Sequence, residues 1–298
     1  MIPHADQKNE KKSWLSEDTR QFENNLSDEA LARMANRLRL DVIFSIYLAG
    51  DGHPGPSMSI AEIIAHLYFR TLRIDPKNPD WPQRDRLILS KGHACPILYA
   101  ALARRGYFPV EQLAGLRSFY SHLQGHPDML KTPGVDMTSG SLGNGIALAA
   151  GMAIAGRLLD YDSRYYVITG DGELSEGAIW EGVSIAAHHK LDRLIVFVDA
   201  NHMQSGGPVE RVSGLYPLAP KFSAFGWQVI EIDGHDMSAI GRAIEMAHNE
   251  KEQPTAILCH TVKGKGIPYM EGDNSWHKRV PTASEVEEAI RALGSDCL

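Results

Sequence analysis

Hydrophobic and polar positions change period along this chain. Leu31, Met34, Leu38, Val42 and Ile46 recur every three or four residues, the spacing of a helix that buries one face. Ser27 is placed to cap it, Asp28 and Glu29 fall in its first turn, and Gly50 can end it. Residues 50–58, GDGHPGPSM, read as a rigid turn-forming loop, and Ser59 to Thr71 as a second helix. RLILS (86–90) is a short strand, and KGHACP leads into a helix through Arg104. Segment 106–142 is rich in Gly, Pro and His and shows no clear element, so its length marks a functional loop.

From residue 143 the pattern becomes strongly apolar. GNGIALAAGMAIAGRLL (143–159) has almost no polar face, which predicts a buried, closely packed helix and fits a subunit interface. YYVITG (165–170), LIVFVDA (194–200), WQVIEI (227–232) and TAILCHTV (255–262) are continuously apolar strands, separated by helices over 175–188 and 237–250. Apolar strands alternating with helices predict a doubly wound parallel sheet with helices on both faces. We read residues 1–25 as a polar extension and 26–298 as one α/β domain with a loop-rich first half.

Composition narrows the function. Of 298 residues, 43% are hydrophobic and 22% charged, an ordinary globular balance. The formal charge of −7 argues against a nucleic-acid or anionic-membrane partner. Cys95, Cys259 and Cys297 are scattered, with no CxxC pair, so a reduced, cytoplasmic setting fits best. The N-terminus lacks the apolar core of a signal peptide. The most apolar run, Ile146 to Ala155, is half the roughly 20 residues that span a bilayer.

The chemistry centres on VITGDGELSEG (167–177). Asp171 stands between two glycines just past a strand end, where open α/β sheets bind ligands. Asn201 stands just past the next strand. If the strands are neighbours, the two side chains converge and offer the hard oxygens that Mg²⁺ or Ca²⁺ prefers. Gly170 and Gly172 permit close approach of a diphosphate, and the following helix points its N–H groups at the anion. A lone Gly-Asp-Gly is more often an ordinary turn, and the second strand end reverses that balance. No GxGxxG or GxxxxGK[ST] occurs, so the segment is not a dinucleotide or P-loop fingerprint, and a nicotinamide dehydrogenase is the most distant alternative.

Gly-Asp-Gly followed thirty residues later by Asn resembles the thiamine diphosphate motif. The wider chain, from about residue 28 to 290, resembles the N-terminal, pyrophosphate-binding half of transketolases, in the form encoded as a separate subunit. GHPGPSM (52–58), DPKNPDWPQRDRLILSKGHA (75–94), LQGHPD (123–128), TSGSLGNGIALAAGMAIA (138–155) and IDGHD (232–236) carry the resemblance. It implies the thiamine-diphosphate-binding fold and a Mg²⁺ held by Asp171, Asn201 and the main-chain carbonyl of Met203. Ca²⁺ is a substitute. Gly170, Gly172, Glu173 and His93 fall to the cofactor, and the run Gly140, Ser141, Leu142 passes beside its rings. His53, His93 and His126 would line the substrate channel. One loop histidine is ordinarily structural, and three, each directly after a glycine, shift that balance. His277 matches a fourth, but Lys278 and Arg279 follow where the family has a glycine-containing segment; they could supply charge for a phosphate or carboxylate. Glu176 and Glu181, by default solvated, match dimer-interface glutamates that relay protons. Lys263 and Lys265 can reach an anion or stand in a solvated loop.

The resemblance also implies something beyond this chain. The glutamate that activates the cofactor's aminopyrimidine, and most sugar-phosphate-binding arginines, belong to the second half of transketolases. We therefore expect a partner, the separate C-terminal subunit, in an α₂β₂ heterotetramer, and transfer of a two-carbon ketol unit between sugar phosphates. The alternatives are a 1-deoxyxylulose-phosphate synthase-like or 2-oxoacid-processing enzyme, or a non-catalytic subunit that keeps the fold.

Overall fold

The computed structural model describes residues 25–294. The N-terminal extension, apart from Asn25, and Cys297 lie outside the described residues. In chain order the principal elements are α1 (Asp28–Ala49), β1 (Arg86–Leu89), α2 (Cys95–Arg105), α3 (Gly145–Leu158), β2 (Tyr165–Gly170), α4 (Gly177–His188), β3 (Leu194–Ala200), β4 (Gln228–Asp233), α5 (Met237–Asn249), β5 (Thr255–His260) and α6 (Ala283–Leu293). The stretch read as one domain divides into two compact units. Among the described residues, one holds 25–71, 93–134 and 263–294; the other holds 72–92 and 135–262.

In the first unit, α1 begins as its sequence predicts. Ser27 Oγ accepts from the Ala30 N–H, and Gly50 closes the helix in the left-handed conformation. Asp41 on α1 accepts two hydrogen bonds from Arg104 on α2, both at 2.8 Å, and both side chains are buried. Arg39 pairs with Glu62 at 2.7 Å in the same way. Two expectations change here. GHPGPSM contains a short helix, Pro54–Met58, because prolines fit a first turn, where no N–H is needed. The second helix runs only over Ala61–His66 and then widens into a π-turn over Leu67–Thr71. The wide turn brings Arg70 within 2.6 Å of Asp28 and lets the Phe69 carbonyl accept from Asn25.

The second unit is a parallel sheet with helices around it, in the order β1-β2-β3-β5-β4. All seven residues of β3 are buried, as in a strand covered on both faces. The chain skips a position after β3 and returns to fill it with β5, which makes a topological switch point beside β3. In register, Gly170 at the end of β2 lies opposite Asp199 near the end of β3, so the segments that follow leave the sheet side by side. Helix α3 corrects the expectation of an entirely buried helix. Ile146, Ala149, Ala150, Ala153 and Gly156 face the core, while Leu148 and Leu158 are exposed, the latter by 79%. Among the described residues no helix is long and apolar enough to cross a membrane.

Candidate active site

Asp171 lies just past β2 and is 1% exposed. The turn that follows fixes its carboxylate. Oδ1 accepts from the Gly172 N–H at 2.8 Å, and Oδ2 from the His202 N–H at 2.6 Å and the Tyr216 hydroxyl at 2.9 Å. His202 adopts left-handed backbone (φ 61°) and stacks on Tyr216 with ring centroids 4.4 Å apart. Asp171 has no cationic partner among the described residues. Burial, and then the charge of Asp199, push its carboxyl up to about 6.

Asn201 lies just past β3. Its Nδ2 donates to Asp199 Oδ2 at 2.8 Å, which fixes which end of the amide is oxygen. Its Oδ1 accepts from the Met203 N–H at 3.0 Å. Asp199 is itself held by Lys91 Nζ and Thr261 Oγ1, each at 2.5 Å, deep in the protein. Met203 begins a two-residue antiparallel arm and pairs with Pro208, which has no N–H to donate to the Met203 carbonyl. Asp171, Asn201 and that carbonyl are hard oxygen donors on adjoining strand exits. A Cβ added to Gly172 would stand 2.6 Å from the Gln204 Cβ, so this cradle admits only glycine. A buried carboxylate without a cationic partner, set beside an amide oxygen, fits a divalent metal. Among the described residues no three His, Cys, Asp or Glu side chains could hold a metal by themselves.

One expectation about this turn changes. The residues after Asp171 form a 3₁₀ turn, Gly172–Ser175, and α4, predicted from residue 175, starts at Gly177, so the 3₁₀ turn and not α4 directly follows Gly-Asp-Gly. The cause is Glu173. Its buried carboxylate accepts from Ser90 Oγ at 2.5 Å, the Gly143 N–H at 2.8 Å and the Gly170 N–H at 3.2 Å. That engagement ties the turn to the loop Gly140, Ser141, Leu142. Gly140 and Ser141 are exposed and Leu142 half-buried. Glu176 stands at the N-cap position of α4 without a side-chain hydrogen bond to the helix, and both it and Glu181 are exposed.

The first unit brings three of the four candidate histidines together. His53 stands at the head of the Pro54–Met58 helix, and His93 and His277 lie on single 3₁₀ turns. Their ring centroids are 5.3, 5.6 and 5.2 Å apart pairwise. Gly55 makes the approach possible, since a Cβ there would lie 2.8 Å from the Trp276 carbonyl. Lys263 Nζ donates to Asn274 Oδ1 at 2.7 Å and to His277 Nδ1 at 3.0 Å, which leaves the His277 proton on Nε2. His53 Nδ1 is buried without a hydrogen-bond partner among the described residues. Burial, then Lys278 and Arg117, lower His53 to about 4, so the ring is neutral near pH 7. His126 is exposed and lies outside the trio of ring contacts, although its charge acts on His53, and burial and Arg117 lower its pKa.

Sequence reasoning missed Lys91, Asp199, Tyr216, His202 and Ser90. Asp199 carried a signal, as a charged residue inside an otherwise apolar strand, and buried charges are paired. Tyr216 and His202 carried none.

Residues 30–297 match the family described as transketolase, thiamine diphosphate binding domain. A 6-deoxy-6-sulfo-D-fructose transketolase subunit of Clostridium sp. (strain MSTE9) is 46% identical, over 88% of this chain and 96% of that protein. An apulose-4-phosphate transketolase subunit of Phocaeicola vulgatus is 37% identical, over 89% and 94%. The transketolase of Pongo abelii is 41% identical over 90% of this chain but 42% of its own length. Among solved structures, transketolase from Campylobacter jejuni superimposes with TM-score 0.86 at 33% identity, over 90% of this chain and 43% of that one. The chain thus spans nearly all of the relatives named as subunits and about two fifths of the single-chain ones.

Proposed function

The chain belongs to the transketolase family, as its thiamine diphosphate binding domain, and on that premise we propose that it is the N-terminal subunit of a split transketolase. With a separate C-terminal subunit, in an α₂β₂ assembly, it moves a two-carbon ketol unit from a ketose phosphate to an aldose phosphate in the cytoplasm. The observation that carries the reading is the pair of strand exits, where Asp171 and Asn201 present oxygen donors from paired strands.

In this reading Asp171, Asn201 and the Met203 carbonyl would hold Mg²⁺, and Gly172 would leave room for the diphosphate. Bound thiamine diphosphate would supply the carbon nucleophile that acts on a ketose carbonyl. Glu173 positions the Gly140–Leu142 loop through the Gly143 N–H. His53, neutral and with an unpartnered Nδ1, is suited to accept a hydrogen bond or a proton from a sugar hydroxyl. His277, protonated on Nε2 by virtue of Lys263, is suited to donate one. His93 completes the trio, and His126 contributes from its exposed loop. Glu176, Glu181 and the exposed apolar side of α3 are assigned to the subunit interface.

The test uses this chain with its C-terminal partner, thiamine diphosphate and Mg²⁺. Ketol transfer from xylulose 5-phosphate is expected from the complex and not from this chain alone, and pyruvate should not serve as donor. Cofactor with Mg²⁺ should raise the melting temperature of the wild-type complex and not that of Asp171→Ala. Full activity of this chain without a partner would overturn the reading, and turnover of pyruvate instead would favour the synthase-like alternative.

A further inference from the structure

Lys278 and Arg279 stand next to His277 as two adjacent cations, and the structure separates their roles. Arg279 is committed. Its guanidinium lies 3.9 Å from the centre of the Trp276 ring and donates to Glu285 Oε1 at 2.6 Å, which ties the turn to α6. Lys278 points elsewhere, to Asp51 Oδ1 at 3.6 Å, with 55% of its side chain exposed. Asp51 is two residues before His53 and also receives Arg117 Nη2 at 3.0 Å. Arg117 is placed by backbone. Its φ is 60°, its N–H donates to the Leu123 carbonyl at 2.7 Å, and its guanidinium rests on Gly125, where a Cβ would lie 2.5 Å from Nη1. Gly125 precedes His126. Two cations therefore share one carboxylate, and all three side chains sit one or two residues from, or against the neighbour of, His277, His53 and His126.

One carboxylate cannot neutralise two cations, so this ledge beside the histidines keeps a net positive charge. Both Lys278 and the Asp51 carboxylate remain partly in water, where a 3.6 Å pair is weakly held and readily exchanged for a better anion. The charge is also felt at the trio, since Lys278 and Arg117 are the leading charges acting on His53.

We infer that Lys278, with Arg117 and tuned by Asp51, is an oxyanion site on this chain that selects sugars ending in a phosphate or sulfonate. The inference rests on the functional reading above and extends it. The second half of the enzyme is then not the sole source of substrate-anion recognition, and this chain contributes selectivity through the residue that follows His277. A lysine head group meets a tetrahedral oxyanion as a point charge, so phosphate and sulfonate are both accommodated.

The experiment compares the wild-type complex with Lys278→Gln, Lys278→Arg and Arg279→Gln, using phosphorylated, sulfonated and neutral sugars of equal chain length. For Lys278→Gln, the ratio of kcat/KM for anionic over neutral sugar should fall about tenfold, the loss of one charge-assisted contact. The loss should lie in KM, Lys278→Arg should restore the ratio, and Arg279→Gln should not change it. The relative loss with phosphate and with sulfonate identifies which the site prefers. A ratio unchanged in Lys278→Gln overturns the inference. A second readout does not need turnover. Inorganic sulfate, titrated at constant ionic strength, should change tryptophan fluorescence saturably through neighbouring Trp276, with about tenfold weaker binding in Lys278→Gln. An equal response in both proteins overturns the site. If the wild-type complex transfers no ketol unit, the functional reading has failed and the sulfate titration alone decides the inference.

Discussion

At the scale of single residues, burial decides which groups are charged. His53, His66 and His248 are each lowered to about 4, with burial the largest cause in every case. Nearby cations add to it: Lys278 and Arg117 at His53, Arg70 at His66, Arg164 and Lys251 at His248. The Tyr166 hydroxyl and His248 Nε2 are hydrogen-bonded at 2.8 Å. An unfolded histidine titrates near 6.5, so the unfolded chain takes up these protons first as pH falls. The stability these rings contribute is complete above pH 6.5 and is lost progressively down to about pH 4. Urea midpoints should therefore drop between pH 7 and 4.5, and the drop should be smaller in His248→Gln. Asp171 is the opposite case, a buried acid pushed upward by burial and Asp199, and a bound divalent cation would favour its charged form and offset that shift.

At the scale of elements, small residues set how closely helices approach. Gly182 on α4 packs against α3, and a Cβ there would lie 2.7 Å from the Ala147 nitrogen and 3.0 Å from its Cα. Backbone cannot swing aside as a side chain can, so Gly182→Ala should destabilise by about 1–3 kcal/mol. Gly177, at the start of the same helix, has nothing within 4 Å of the same added atom. Gly177→Ala should be neutral or stabilise by up to about 1 kcal/mol through lost chain freedom in the unfolded state. Chemical denaturation of the two variants side by side checks both signs. The strands were legible because buried parallel strands are continuously apolar, and β2 and β3 lie where YYVITG and LIVFVDA predict. The Pro54–Met58 helix was not, because Gly-Pro composition signals turns and only packing makes one a helix. The 3₁₀ turn after Asp171 was not, because it depends on Glu173 finding Ser90 and Gly143, 83 and 30 residues distant.

At the scale of the molecule, long-range ion pairs join segments that sequence order keeps apart. Asp41 and Arg104 are 63 residues apart, and their two-bond contact fastens α1 to α2 inside the first unit. Asp41→Ala would leave Arg104, and Arg37 at 3.5 Å from the same carboxylate, buried without it. The expected cost is about 3–5 kcal/mol, the scale for breaking a buried pair from one side. Melting by far-UV circular dichroism measures it. Leu148, Leu158 and Ile185 are exposed apolar side chains on the surface that α3 and α4 present. If this surface is the proposed interface, Leu158→Lys should weaken assembly and lower the mass seen by light scattering.

The chain's hydrophobic period by itself determined a parallel α/β sheet, and the spacing of Asp171 and Asn201 determined that two oxygen donors leave successive strands. Both are local facts, since strand burial and glycine-flanked turns write themselves into consecutive residues. Tertiary structure alone decided that those strands are neighbours and that Lys91 and Thr261 hold Asp199 against Asn201. It also decided that His53, His93 and His277 share one cluster, and that Lys278 turns to Asp51 while Arg279 turns to Trp276. These outcomes depend on charges and rings that meet across tens to hundreds of residues. Their pairing follows from which partner burial brings within about 3 Å, the reach of a hydrogen bond.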